Sequence, residues 1–337
     1  MIDVSVVVPT HNRVRILPQT IRSILRQQDV AIELIVVDDG CTDGTGPWLD
    51  RVAGADARIT VVHHADPRFI SEARNAGIAR ASGRWIAFCD DDDLWAPDKL
   101  SVQLAAMRAD TARWACTGVA VVNEDLQIIG HHHATGGDLL AGLLTSNRIP
   151  ATSSVIVERD LVRNAGGFDP GLRGSEDWDL WIRLAQRSPV AAVDRPLVAY
   201  RLGQQSLSLD VKPMRMGRRI IAERYAGLAT AHGVSSDEAG HERYLAKQLL
   251  RSGARWRSAS LFAALALRHG RWRELPRVAA ALIAPRMTDR IGQARASGAV
   301  PGAWRAEAEA WLSPIRGMSQ ADRPYSRPAG QARELEA

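Results

Sequence analysis

The chain has 337 residues, 46% of them apolar and 24% charged, with a formal net charge of +5. That length holds one large domain or a domain with an appendage, and the apolar fraction supports an ordinary buried core. No stretch reaches the roughly 18 apolar residues that cross a bilayer. Met1-Ile2-Asp3 lacks the basic lead-in of a signal peptide. Cys41, Cys89 and Cys116 are too scattered for a disulfide framework or a metal-ligand spacing, so a cytoplasmic protein with reduced thiols is expected.

Residues 4–8, Val-Ser-Val-Val-Val, form a nearly unbroken β-branched run, the pattern of a strand covered on both faces of a parallel sheet. Pro9 to Arg13 is a loop. Leu17, Ile21, Ile24 and Leu25 keep helical spacing, and Pro18 suits a first turn. Residues 33–37 are a second buried strand that ends in Asp38-Asp39-Gly40, after which Thr42 or Asp43 can cap a short helix. A strand over 59–63, a helix over 71–80, a strand over 85–89, a helix over 97–107 and a strand over 114–122 complete the alternation. This order predicts an α/β domain with a largely parallel sheet, whose ligands bind beyond the carboxyl ends of the strands.

Two acidic clusters fall on that edge, Asp38-Asp39 and the run Asp90-Asp91-Asp92-Asp93. Four adjacent like charges repel, and a cation is the usual compensation. Hard carboxylate oxygens suit Mg2+ or Mn2+, which share their coordination with substrate phosphates. A solvated acidic turn capping the next helix is the alternative.

Beyond residue 200 the texture changes. Residues 211–228, 238–255, 259–267 and 274–283 read as helices, and Arg255-Trp256-Arg257 and Arg271-Trp272-Arg273 recur in similar settings, a hint of a helical-hairpin repeat. Residues 201–337 hold 23 Lys+Arg against 12 Asp+Glu, which points either to an anionic partner or to an arginine-rich composition. Residues 313–337 are rich in Pro, Gly and charge and are expected to be disordered.

Several segments, in order, resemble the family 2 glycosyltransferases, which have the GT-A fold. They are Val6-Val7-Val8-Pro9-Thr10-His11-Asn12-Arg13, the stretch from Val36 to Thr45 containing Asp38-Asp39-Gly40, Ala73-Arg74-Asn75-Ala76-Gly77, Phe88-Cys89-Asp90-Asp91-Asp92-Asp93-Leu94-Trp95, Gly166-Gly167-Phe168-Asp169, and the stretch from Glu176 to Ala185. The resemblance covers residues 3–203. It implies a catalytic domain over 1–205; the change of texture beyond it gives a helical C-terminal region over 206–312 and a tail over 313–337. Two departures stand out. Asp91 occupies a position where the family often has a small residue, and Cys41 stands where Ser is usual.

The resemblance implies a metal-dependent, inverting transfer of a sugar from a UDP- or dTDP-linked donor to a hydroxyl acceptor in glycan or glycoconjugate biosynthesis. Pro9, Thr10, Arg13, Asp39, Arg74, Asn75, Asp90 and Asp91 would bind the donor. Asp39 would accept from a base N–H or a ribose hydroxyl, or else cap the turn after it. Arg74 would meet phosphate, or else be a surface cation. Asp92 would ligate Mg2+ or Mn2+ directly, with Asp90 and Asp93 beside it. Asp177 would be the general base, with Glu176 and Asp179 competing for the role. Trp178 and Trp181 are expected in the core. Ser153 and Ser154 would line the acceptor pocket, and His131-His132-His133 would form a loop near it, since adjacent side chains on a strand alternate between faces.

The acceptor would be a glycan, a lipid-linked sugar or a small molecule, and no nucleic acid is expected. The basic C-terminal helices could rest on the inner face of a membrane or serve as a plain helical core. A non-catalytic nucleotide-sugar-binding scaffold is the alternative function. A dinucleotide oxidoreductase would need Gly-x-Gly-x-x-Gly after the first strand, and a nucleotidyltransferase a Gly-rich loop there; neither is present. A processive synthase would carry membrane helices and Gln-x-x-Arg-Trp; Gln248-Leu249-Leu250-Arg251-Ser252 lacks the Trp.

Overall fold

The computed structural model describes residues 2–202, 211–251, 253–283 and 297–316. The β-branched runs form β1 (Val4–Thr10), β2 (Ile32–Asp39) and β3 (Ile59–His64), and the run ahead of the aspartates forms β4 (Trp85–Phe88). These four strands are parallel, in the order β3-β2-β1-β4, so their carboxyl ends share one edge. Val7, Ile35 and Phe88 pack on one face and Val6, Val8 and Val36 on the other. Both faces are covered, which is why these strands carry continuous apolar runs rather than alternating ones. Helix α1 (Leu17–Leu25) contributes Leu17, Ile21 and Ile24 to the second face. Helices α2 (Thr45–Ala55) and α3 (Phe69–Arg80) follow β2 and β3. Gly77 of α3 lies so close to Val7 that a Cβ there would collide with the valine.

The remainder of the sheet is mixed. Directly after the aspartates the chain forms the two-residue strand β5 (Leu94–Trp95), ahead of α4 (Lys99–Ala109), β6 (Trp114–Val122) and β7 (Ile128–His132). After α5 (Leu140–Thr145) comes β8 (Ile156–Glu158), which inserts antiparallel between β4 and β6. Helices α6 (Arg159–Asn164) and α7 (Glu176–Ala185) lead to β9 (Val190–Arg201), which runs parallel to β6 and takes up β5 on its far side. The acidic run is therefore held at both ends, by β4 upstream and by β5 on β9 downstream.

The helices α8 (Val211–Arg224), α9 (Ala226–Ala231), α10 (Glu238–Arg251), α11 (Arg255–His269), α12 (Leu275–Ile283) and α13 (Gly302–Arg316) follow. Both Arg-Trp-Arg triplets stand near helix starts, at the head of α11 and just before α12. The first and last of these helices belong to the sheet domain by packing. Ile221 of α8 enters the core cluster containing Trp181. Trp304, Ala308 and Leu312 of α13, at i, i+4 and i+8, cover Leu94, Ala120, Val122 and Ala199. The helix runs to Arg316, into the segment expected to be disordered from 313. Residues 317–337 and the boundary at 205 lie outside the described residues.

Gly118 on β6 is the seat of Trp304: a Cβ there would collide with the indole and stand 2.9 Å from the Arg195 carbonyl oxygen. Gly118→Ala is expected to cost about 1–3 kcal/mol by overpacking, read as a lower midpoint in urea unfolding. An unchanged midpoint would show that the helix does not depend on this seat.

Candidate active site

The acidic residues of the sheet edge and those of the first turn of α7 meet through one cation. Arg74, on α3, is 3% exposed. Its terminal nitrogens donate to Asp90 Oδ1 at 2.7 Å and Glu176 Oε1 at 3.0 Å, and its guanidinium lies 4.9 Å from the Phe168 ring centroid. Burial works against the charge, but Asp90 and Glu176 outweigh it and hold the Arg74 pKa above its ordinary value. The expected surface cation or phosphate partner is thus an internal bridge with both terminal nitrogens taken by carboxylates. Asn75 is also committed to structure. Its Nδ2 donates to the Phe168 carbonyl at 2.7 Å and its Oδ1 accepts from the Phe168 N–H at 2.9 Å. Gly167, at φ +66°, fits because a Cβ there would stand 2.5 Å from Asn75 Oδ1.

At the end of β2 the two aspartates divide their work. Asp38 Oδ1 accepts from the Cys41 N–H at 3.0 Å, so the turn-capping role anticipated for Asp39 belongs to Asp38. Asp39 instead accepts from the N–H groups of Arg68 and Phe69, both at 2.9 Å, and so caps the start of α3; His64 Nδ1 lies 2.7 Å from its Oδ1. Asp38 Oδ2 lies 2.8 Å from His63 Nδ1. Burial lowers the His63 pKa, but Asp38 and Asp50 outweigh it and raise it overall. Asp43 caps α2 by accepting from the Thr45 N–H at 3.0 Å. Pro9 and Thr10 end β1 in register with Val37 and Asp38.

Within the acidic run the Asp90 N–H donates to Ser153 Oγ at 2.9 Å, and the Asp91 carbonyl accepts from Thr20 Oγ1 at 3.0 Å. Ser153 and Ser154 are fully buried, so they pin backbone instead of lining a pocket. Arg13 Nε lies 3.8 Å from Asp91 Oδ1. Asp93 is fully buried and turned inward, its Oδ1 accepting from the Arg201 N–H at 3.1 Å; it stands apart from the half-buried Asp90, Asp91 and Asp92. Burial and the charge of Asp92 push Asp91 up to about 7, and burial and the charge of Asp90 push Asp92 up to about 6. These are oxygens short of positive charge, of the hard type that suits Mg2+ or Mn2+. Among the described residues no group of three or more His, Cys, Asp or Glu could by itself hold a metal ion.

The first turn of α7 separates its three acids. Glu176 is tied to Arg74. Asp179 is fully buried and saturated, accepting from Arg183 (2.7 and 2.9 Å), Arg224 (2.8 Å) and the Tyr225 hydroxyl (2.9 Å), which removes it as a base. Asp177 is half-buried, with Oδ1 accepting from the Trp178 N–H at 2.7 Å and Oδ2 from Asn147 Nδ2 at 3.3 Å. Burial and the neighbouring Glu176 raise it to about 6, while Arg74 pulls it back. Asn147 was not singled out from the sequence, because no local pattern marks a side chain that reaches across 30 residues. Trp178 and Trp181 are core residues: Trp178 donates to the Leu143 carbonyl at 2.7 Å, and Trp181 stacks on Trp114.

His131 and His133 lie away from this network. Their rings pack against Trp304, with centroids at 5.4 and 5.2 Å, and Asp194 holds His133 Nδ1 at 2.9 Å. They form the seat of α13 rather than a loop at an acceptor cleft.

A family model described as Glycosyl transferase family 2 matches residues 5–165. A Bacillus subtilis (strain 168) protein named as a teichuronic acid biosynthesis glycosyltransferase is 31% identical over 207 residues, 61% of this chain and 81% of that one. The chain belongs to glycosyltransferase family 2. An Escherichia coli family member, named UDP-Glc:alpha-D-GlcNAc-diphosphoundecaprenol beta-1,3-glucosyltransferase, is 28% identical over 207 residues, 61% of this chain and 79% of that one. Uncharacterized Rickettsia glycosyltransferases are longer, and the chain spans 33% of their length. In fold the chain is similar to S. aureus TarS residues 1–349, solved in complex with UDP-GlcNAc, with a TM-score of 0.56, 16% identity and coverage of 93% of this chain and 92% of that one. The GT-A fold and the transferase class thus hold for this chain.

Breaking a buried ion pair from one side leaves an uncompensated charge. Arg74→Met, which strands both Asp90 and Glu176, is expected to destabilise the protein by about 3–5 kcal/mol, measured by urea unfolding at neutral pH. A loss under about 1 kcal/mol, the range of an exposed pair, would overturn the bridge as a structural element.

Proposed function

We propose that this family 2 enzyme moves a sugar, with inversion, from a UDP- or dTDP-linked donor to a hydroxyl of a glycan, lipid-linked or small-molecule acceptor in polysaccharide or glycoconjugate biosynthesis. The observation that carries the reading is the Asp90–Arg74–Glu176 bridge, because it fixes the acidic edge against the helix turn that bears Asp177. Two chemically distinct sets of carboxylates, one for a donor and one for an acceptor, are thereby locked to one another.

Asp177 takes the acceptor's proton. It is the acid of α7 not consumed by an arginine, Asn147 orients its Oδ2, and a pKa near 6 lets it be unprotonated and still usefully basic at neutral pH. Its place in the first turn of α7 favours the carboxylate through the helix dipole. Glu176 pairs with Arg74 at 3.0 Å and holds that turn in place. On the donor side, Thr10 and Arg13 stand beside Asp91, and Asp39 stiffens the wall by holding the start of α3. Asp92, with Asp90 beside it, would hold Mg2+ or Mn2+; Asp93, expected beside them, is turned inward onto the Arg201 backbone. When bound, such an ion supplies Lewis-acid stabilisation of the charge gathering on the departing diphosphate. The carboxyl edge of the sheet faces the cytoplasm in this reading, at the inner face of the membrane if the acceptor is lipid-linked.

Asp177→Asn is expected to lower kcat by about 10²–10⁴ while the donor KM changes little, and NMR of the product should show the inverted anomer. A retained anomer would overturn direct displacement. The pH profile follows from the raised Asp177. Below about 6 the acid form predominates and the base is lost, so kcat/KM should climb as pH rises through about 6. The sign for stability is opposite: the fold favours the proton on Asp177, so that contribution is complete below the ordinary carboxylate value of 3.8 and disappears as pH rises through about 6. A nucleotide-sugar panel should raise the melting temperature of the EDTA-treated protein only when Mn2+ or Mg2+ is added. Asp92→Ala should abolish that metal-dependent shift; an unaltered shift would remove Asp92 as the ligand.

A further inference from the structure

The helices α11 and α12 show solvent a different surface from the rest of the chain. Of the large apolar side chains exposed among the described residues, Trp256, Leu267, Trp272, Leu275 and Ile283 fall within 255–283, and only Phe69, Met216 and Tyr244 lie elsewhere. Exposure is high where it decides the matter: 68% for Trp256, 70% for Leu267 and 83% for Ile283.

Their spacing is regular. Trp256 and Leu267 are eleven residues apart on α11, close to three full turns, and so share a face. Leu275, Ala279 and Ile283, at i, i+4 and i+8, are all exposed along α12. The opposite faces are occupied: Phe262 and Leu265 pack with Ala246 of α10, and Ala259 and Leu250 pack with Ala281 of α12. The pair thus has a core of its own and a second apolar face that nothing in the chain covers among the described residues.

Charge selects the occupant. Residues 253–283 carry Arg255, Arg257, Arg268, Arg271, Arg273 and Arg277 with a single carboxylate, Glu274. Glu274 is buried and consumed by Arg243 and Arg277, so it neutralises nothing at the surface. Exposed tryptophans among arginines, on helices too short and too charged to span a bilayer, match an interfacial layer, where indoles sit at headgroup depth and guanidiniums meet lipid phosphates. A second copy of the chain would bring like charge against like charge. A nucleic acid would satisfy the arginines but leave Leu267 and Ile283 in water.

We propose that the α11–α12 pair is a docking surface for an anionic phospholipid bilayer, with Trp256, Trp272 and Ile283 entering the interface and Arg255, Arg257, Arg271 and Arg273 on headgroup phosphates. This deepens the functional reading by naming where the transferase meets the membrane that presents a lipid-linked acceptor, and its test does not use catalysis.

The full chain is mixed with liposomes of phosphatidylcholine containing about 30% phosphatidylglycerol, or of phosphatidylcholine alone, and floated through a density gradient. The expected result is flotation with the anionic liposomes, little with the neutral ones, and release in about 0.5 M salt, where screening is nearly complete over a few ångströms. Trp256→Ser with Trp272→Ser, and separately Arg255→Glu with Arg273→Glu, should each reduce the floated fraction at least about fivefold. All four positions are exposed, so the melting temperature should not move. Absence of flotation with anionic liposomes, or a double variant that floats like the parent, overturns the proposal. So does a dimer seen by sedimentation that the tryptophan variant dissolves while liposomes leave the parent unbound. Sugar transfer to a soluble acceptor would survive each of these failures, which separates this proposal from the catalytic reading.

Discussion

A buried guanidinium between two carboxylates is the constraint on which the site depends. Asp90 lies two residues beyond the end of β4 and Glu176 begins a helix 86 residues further along, and neither local sequence holds the other in place. Arg74 does so from a third element, resting on Phe168. Around that contact the chain has little freedom. Asn75 grips the backbone of Phe168, and Gly167 must lack a side chain for the grip to close. Such a bridge is weak evidence of net stability, because desolvation of the charges opposes their attraction. Its worth here is geometric: it converts two distant acidic segments into one wall.

The distribution of the remaining acids follows from the same accounting of partners. Asp179 is saturated by arginines and a tyrosine, Asp39 is held by backbone N–H groups, and Asp93 is turned inward with Oδ1 on the Arg201 N–H. Asp91, Asp92 and Asp177 are half-buried, and burial raises all three. Residues whose ionisation is held near neutrality by their surroundings are the ones able to exchange a proton or accept a cation.

The parallel half of the fold was legible in the sequence because its strands are covered on both faces. Apolar, largely β-branched runs such as 6–8 and 34–37 have few other uses. The mixed half was not. β5 is two residues long and β8 three, and pairing partners, not intrinsic pattern, make them strands. The same limit explains the site. Residue types and order pointed to the acidic edge and to Asp177, yet the sequence could not say that Arg74 faces inward, that Asn75 and Asp39 are spent on backbone, or that His131 and His133 receive a tryptophan from α13. Each of those facts depends on a contact across dozens of residues, and a period-2 or period-3.6 pattern carries no information about it.

The arrival of α13 on the sheet has a consequence for synthesis. Leu94, Ala120, Val122 and Ala199 are all made long before the residues that shelter them, since Trp304 and Leu312 come late in the chain. At about 5–20 residues per second, a ribosome leaves that patch of sheet bare for several seconds after the last strand has emerged. The nascent transferase domain therefore passes through an interval with sticky surface on display, a window in which a chaperone has something to hold.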